Sequence, residues 1–295
     1  MTYRSIASLL AAVEDDARSL PGVVLQQEVD ESGVSEDAIR QRLRRSLEVM
    51  EEAMEEGLKG DRRSASGLTG GRAAILDAGG PRLLGAETTS LIARAVATLE
   101  TNAAMGLIVA APTAGAAGVL PAVLTCMGER LELDREQLMD GLLVAGGIGS
   151  VIAHRASLSG AEGGCQAETG SAAAMAAAAA TWLAGGGRQQ VSNSVAFALQ
   201  GMLGLICDPI GGLVEIPCIY RNASAAVQAV AAAEMALAGL EFPVTADEVI
   251  DVMGEVGRRM PVAYRETAQG GLAATASARR LVRGEPASRP TGASA

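Results

Sequence analysis

A run of alanines near the middle of the chain constrains the fold most. Ala172–Ala180 is broken only by Met175, and only 2% of the 295 residues are aromatic. Alanine has the highest helix propensity and almost no side chain, so this segment predicts a helix that its neighbours approach closely. Strand signals are scarce, and a 49% hydrophobic content is enough for a large core. The expected fold class is mainly α, a compact multi-helix bundle whose Gly/Pro-rich loops carry the site.

Helices are predicted over about 5–18, 35–57, 88–109, 119–131, 134–156, 167–185, 189–206, 222–239 and 246–259, with another after Pro261. Ser35 is the expected N-cap of the second. Between Lys59 and Gly85 the hydroxyl- and glycine-rich stretch R-R-S-A-S-G-L-T-G-G (Arg62–Gly71) reads as a ligand loop. No fixed-period repeat is present, which argues against a solenoid. One domain is expected over residues 1–283, followed by a frayed tail at 284–295.

A net charge of −10 argues against a nucleic-acid partner, which needs concentrated Lys and Arg. Ala103–Met127 is uncharged and long enough to span a bilayer. Pro112, Pro121 and several glycines interrupt it, and aromatic residues for interfacial belts are nearly absent, so no membrane role is expected. Four cysteines without a signal peptide suit a reducing compartment, and the cytoplasm is the expected location.

Cys165, Cys207 and Cys218 stand in turn-forming settings: G-G-C-Q, C-D-P-I-G-G and I-P-C. Loop thiolates suit a soft metal, because a loop lets backbone approach the metal and donate hydrogen bonds to sulfur. Their separations of 42 and 11 residues match neither ferredoxin nor zinc-ribbon spacing, so three unrelated buried thiols remain an alternative. Three thiolates on a cubane cluster would leave one iron open as a Lewis acid. Cys126, within an apolar helical stretch, reads as a core residue.

The loop A-P-T-A-G-A-A-G (Ala111–Gly118) could hold a carboxylate through backbone amides and the Thr113 hydroxyl. Glu162, Glu168 and Glu215 each lie within three residues of a candidate cysteine, where they could meet a substrate ammonium or orient the loops. His154, the sole histidine, reads as a partly exposed structural residue at a helix end. Lys59 is the only lysine and falls at the end of a charged helix, which makes pyridoxal phosphate a poor candidate cofactor.

Taken in order, these motifs resemble the α chain of the iron-sulfur-dependent L-serine dehydratases. The resemblance runs through S-G-L-T-G-G (Ser66–Gly71), N-A-A-M-G-L-I-V-A-A-P-T-A-G (Asn102–Gly115), S-G-A-E-G-G-C-Q-A-E (Ser159–Glu168) and M-L-G-L-I-C-D-P (Met202–Pro209). It continues through L-V-E-I-P-C (Leu213–Cys218), R-N-A (Arg221–Ala223) and R-E-T-A-Q-G-G-L-A (Arg265–Ala273).

The resemblance implies a 4Fe-4S cluster on Cys165, Cys207 and Cys218, and L-serine as substrate. It also implies substrate-binding loops containing Ser66, Gly67, Thr69, Gly70, Thr113, Ala114 and Gly115, whose hydroxyls and amides would neutralise the substrate carboxylate. Two-chain members have a β chain with an ACT-like regulatory region, so a β subunit is the expected partner. The general base is not identified in this chain; a histidine on that β chain is the option the family offers, and His154 stands where the family pattern has asparagine, which argues against a catalytic role for it. A non-catalytic iron-sulfur sensor or structural subunit, and a related lyase acting on threonine, cysteine or another hydroxy acid, stay open as alternatives.

Overall fold

The computed structural model describes residues 3–15 and 19–285. The chain begins with α1 (Ile6–Asp15), α2 (Leu20–Ser32), α3 (Glu36–Lys59), α4 (Arg72–Gly79) and α5 (Ala86–Ala103). Next come α6 (Val119–Leu131), α7 (Arg135–Arg155), the single turn α8 (Gly160–Gly163), α9 (Ser171–Leu183) and α10 (Arg188–Gln200). It closes with α11 (Cys218–Leu237), α12 (Ala246–Arg259) and α13 (Ala276–Val282). No strand occurs among the described residues; Cys207 and Arg265 form an isolated parallel bridge.

The alanine helix α9 is the centre of the bundle. Every residue from Ser171 to Thr181 is buried, and α6, α7, α10 and α11 pack around it. A second centre forms where α5 meets α3, α4 and α11, with Val96, Leu99 and Ile219 in its core. Gly57 of α3 permits the α3–α5 crossing: a Cβ there would fall on the Ala97 carbonyl, well inside van der Waals contact. Both phenylalanines of the chain, Phe197 and Phe242, meet edge to face at 5.4 Å and tie α10 to the segment before α12.

Several helix ends differ from the sequence expectation. Helix α5 stops at Ala103, not near 109, because Met105 takes a left-handed φ of 62° and the Gly106 amide returns to Thr101 O at 2.8 Å. Helix α10 stops at Gln200, ahead of Gly201 and Gly204. Helix α11 starts four residues earlier than expected, at Cys218, immediately after Pro217.

Helix α2 was not expected, and neither was α4, which follows directly on the Arg62–Gly71 stretch read as a loop. The α4 start is capped from a distance: the buried Glu100 carboxylate of α5 accepts from Arg72 N and Ala73 N at 3.0 Å. Ser35 caps α3 as expected, accepting from Ala38 N at 3.4 Å. Of the tail expected to fray, Gly284 and Glu285 are placed, with Glu285 bound to Arg283; residues 286–295 lie outside the described residues.

The uncharged run Ala103–Met127 is broken between α5 and α6. Among the described residues α7 is the one helix long and apolar enough to cross a membrane, and most of its apolar window is buried in the bundle.

Candidate active site

Cys165, Cys207 and Cys218 come from three distant segments, and all are buried and free. Only Cys207 lies in a loop. Cys218 is the first residue of α11, behind the cis Ile216–Pro217 bond. Cys165 opens the helical segment that continues as a π-helical turn, Gln166–Gly170, into α9. The Gly/Pro punctuation thus marks helix starts for two of the three. π-helical turns recur at functional sites because the extra residue re-aims side chains.

Each thiol has local support. Cys165 Sγ lies 2.9 Å from Thr169 Oγ1. The segment after α12 grips Cys207 from both sides, since Cys207 N donates to Tyr264 O at 2.8 Å and Glu266 N donates to Cys207 O at 2.9 Å. Gln166, fully buried, donates to Gly163 O and Met253 O and accepts from Gly204 N, which holds the π-turn against α12 and the approach to Cys207.

The three sulfurs sense one another. Burial pushes the Cys207 thiol far up, and Cys165, Glu168, Glu266 and Cys218 add to the rise. Cys218 is pushed up to about 12 by burial first, then by Cys165 and Glu168, with Arg221 opposing. Burial likewise raises Cys165, against the Thr169 hydrogen bond and Arg221. Three buried thiols whose ionised forms repel one another are a donor set that a cation must neutralise. The carboxylates of Glu168 and Glu266 and the Cys207 sulfur lie within 4.8 Å of one another, so a metal ion could also draw on these oxygens.

The two loops proposed from sequence for substrate meet this centre through carboxylates. In the Ser64–Gly71 loop, Ser66 Oγ donates to Glu215 Oε2 at 2.8 Å and Thr69 Oγ1 donates to the same oxygen at 3.4 Å. Gly70, with φ 145°, lets the loop close, since a Cβ would strike Arg62 O. In the other loop, behind the cis Ala111–Pro112 bond, Thr113 Oγ1 donates to Glu168 Oε1 at 2.7 Å. The hydroxyl protons are therefore engaged by glutamates.

Gly67 and Ala114 are exposed, whereas Gly115 is buried where the loops join. A Cβ on Gly115 would lie 3.4 Å from Glu168 Oε1 and 3.5 Å from Val214. Beside Thr113 and Glu168 an open cleft of about 370 Å³ is lined also by Ser159, Gly160, Glu162 and Glu266.

Asn222, one turn after Cys218, has no exposed surface. It donates to Gly115 O at 2.7 Å and Cys218 O at 2.9 Å, and accepts from Gly118 N at 2.9 Å. It fixes the Thr113 loop relative to Cys218. Its neighbour Arg221 pairs with buried Asp208 at 2.8 Å and donates to Ile206 O at 2.9 Å. Sequence reasoning gave neither residue a role, because their partners are backbone groups and an acid brought close only by folding.

Of the remaining candidates, Cys126 and Lys59 make contacts of their own elsewhere, and His154 directly follows Ala153, which lines the cleft beside Thr113 and Glu168. Cys126 is half-buried at the edge of the core, 3.7 Å from Arg94 Nη1. His154 faces solvent near the end of α7, and Lys59 pairs with Glu56 at 2.9 Å.

An all-α bundle that gathers thiols, carboxylates and hydroxyl-bearing loops defines a helical protein with a candidate metal-binding active site. The comparisons name the family: the model for the serine dehydratase alpha chain matches residues 15–273. The probable L-serine dehydratase alpha chain of Bacillus subtilis is 46% identical, over 95% of this chain and 94% of its own length. The L-serine dehydratase alpha chain of Peptoniphilus asaccharolyticus is 41% identical, over 88% of this chain and 90% of its own. L-serine dehydratase 2 of Escherichia coli is 39% identical, with 92% of this chain matched to 61% of that protein. The chain belongs to the serine dehydratase alpha chain family.

Proposed function

We propose that this chain is the catalytic alpha subunit of an L-serine dehydratase that converts L-serine to pyruvate and ammonia. The observation that carries the proposal is the convergence of Cys165, Cys207 and Cys218, buried and electrostatically coupled, beside the two loops. These thiols suit a 4Fe-4S cluster: three soft donors, burial and a need for positive charge. When bound, the cluster supplies a Lewis acid at its open iron for the departing β-hydroxyl.

The chain's own residues do the rest. The loops containing Ser66, Gly67, Thr69, Gly70, Thr113, Ala114 and Gly115 form the substrate side of the site, with backbone amides available to the substrate carboxylate. Glu215 and Glu168 orient these loops through the hydroxyls of Ser66, Thr69 and Thr113. Asn222 keeps the Thr113 loop in register with Cys218. Removal of the α-proton and loss of water from serine leave aminoacrylate, which tautomerises and hydrolyses to pyruvate and ammonia. The chain works with a partner β subunit, a reading supported by the alpha-chain name of the relatives, and the base for that proton is assigned to that partner. Free cysteines suit the cytoplasm.

Anaerobic reconstitution with the β subunit, followed by iron and sulfide analysis and a serine-to-pyruvate assay, tests this reading. Cys165→Ser, Cys207→Ser and Cys218→Ser should each abolish turnover, with Cys126→Ser retaining most of it. Equal loss in all four variants, or reconstituted protein without iron, would reject the assignment.

A further inference from the structure

Three acidic residues are buried among those described: Glu100, Asp208 and Glu215. Two have their charge answered. Glu100 takes the amides at the start of α4, and Asp208 pairs with Arg221 and accepts from Leu272 N at 2.6 Å. Glu215, at 4% exposure, has only hydroxyls. Ser66 and Thr69 both bond to its Oε2, and among the described residues no cation pairs with the carboxylate and no hydrogen bond reaches Oε1. A carboxylate taken out of water without a cation is costly, so a buried one met by hydroxyls alone is built to receive positive charge.

The position of Glu215 indicates which charge. It lies three residues before Cys218, and its neighbour Val214 packs at the Gly115 turn of the other substrate loop. A cation on Oε1 would therefore sit beside the hydroxyl loop, on the segment that packs against the Thr113 loop and leads into Cys218. Glu168 is placed differently, beside Glu266 and the Cys207 sulfur in the group suited to metal.

We propose that Glu215 binds the α-ammonium of the amino-acid substrate and so selects amino acids over hydroxy acids that lack the amine. This rests on the reading of the chain as an amino-acid dehydratase. The hydroxyls of Ser66 and Thr69 fix the carboxylate from one side and leave its second oxygen for the ligand. Glu215 is thus a specificity residue that makes no bond to the departing hydroxyl.

The test is Glu215→Gln in the reconstituted holoenzyme, which keeps the side-chain shape and an acceptor for Ser66 but removes the charge. Equilibrium binding of L-serine and of 3-hydroxypropionate, its analogue without the amine, is measured alongside KM, kcat and iron content. Loss of a charge-assisted hydrogen bond predicts L-serine binding weaker by about 10- to 100-fold, with 3-hydroxypropionate affinity nearly unchanged. KM should rise far more than kcat falls, iron content should be unaltered, and Glu215→Asp should restore part of the preference. Equal weakening of both ligands, or unchanged serine binding, overturns the proposal.

If the Gln variant does not fold, a structure of the wild-type holoenzyme with L-serine decides. The amine on Glu215 supports the inference, and the amine on Glu168, or a potassium ion on Glu215, overturns it. A wild type that binds L-serine through Glu215 without releasing pyruvate would defeat the dehydratase reading alone. Pyruvate formation with a Gln variant indistinguishable from wild type would defeat this inference alone.

Discussion

Burial holds the candidate ligand thiols in their neutral form, and this has a measurable sign. An unfolded cysteine ionises at about 8.5, whereas Cys218 in the folded chain is pushed up to about 12. A raised folded value means that the stabilisation is complete below the unfolded value and is lost as pH rises towards the folded one. Metal-free protein should therefore lose stability between about pH 9 and 12, at up to ~1.4 kcal/mol per pH unit for each such thiol. Urea denaturation of metal-free protein at pH 8 and pH 10 checks this; equal midpoints would contradict it. At this scale the three cysteines were legible from their Gly/Pro settings, although two prove to start helices. Asn222 was not legible, because nothing local marks an asparagine whose three partners lie at Gly115, Gly118 and Cys218.

Helix contacts in this protein depend on what side chains lack. The α3–α5 crossing has no room for a Cβ at Gly57, so Gly57→Ala should cost about 1–3 kcal/mol through forced separation of the helices. Gly146→Ala in α7 meets nothing within 4 Å and should be neutral or stabilising by up to about 1 kcal/mol, through helix propensity. Thermal unfolding of the two variants side by side separates packing from propensity, and similar shifts would refute the distinction. Long helices with strong periodicity or caps were legible, α3 with its Ser35 cap and α12 among them. Helix α4 was not, since its cap, Glu100, comes from another helix.

Over the whole molecule, the Arg221–Asp208 pair joins the first turns of α11, the Cys207 segment and, through Leu272 N, the chain after α12. Replacing Arg221 with Met would strand the Asp208 charge in the interior, at a cost of about 3–5 kcal/mol. Adding Asp208→Asn should recover part of that loss, which a double-mutant cycle in urea measures. Additive losses would show that the two side chains do not act as a pair.

The class of architecture follows from composition. A chain with so much alanine and so few aromatic or strand-forming residues packs as close helices, and α9 lies at its centre for that reason. The sequence also marked the cysteines and the two glycine-bearing loops. How they combine comes from folding: which thiols feel one another, that Ser66 and Thr69 turn to Glu215, and that Asp208 finds Arg221. These depend on contacts between residues far apart in the chain, where the energetic cost of burying charge selects partners that no local pattern records.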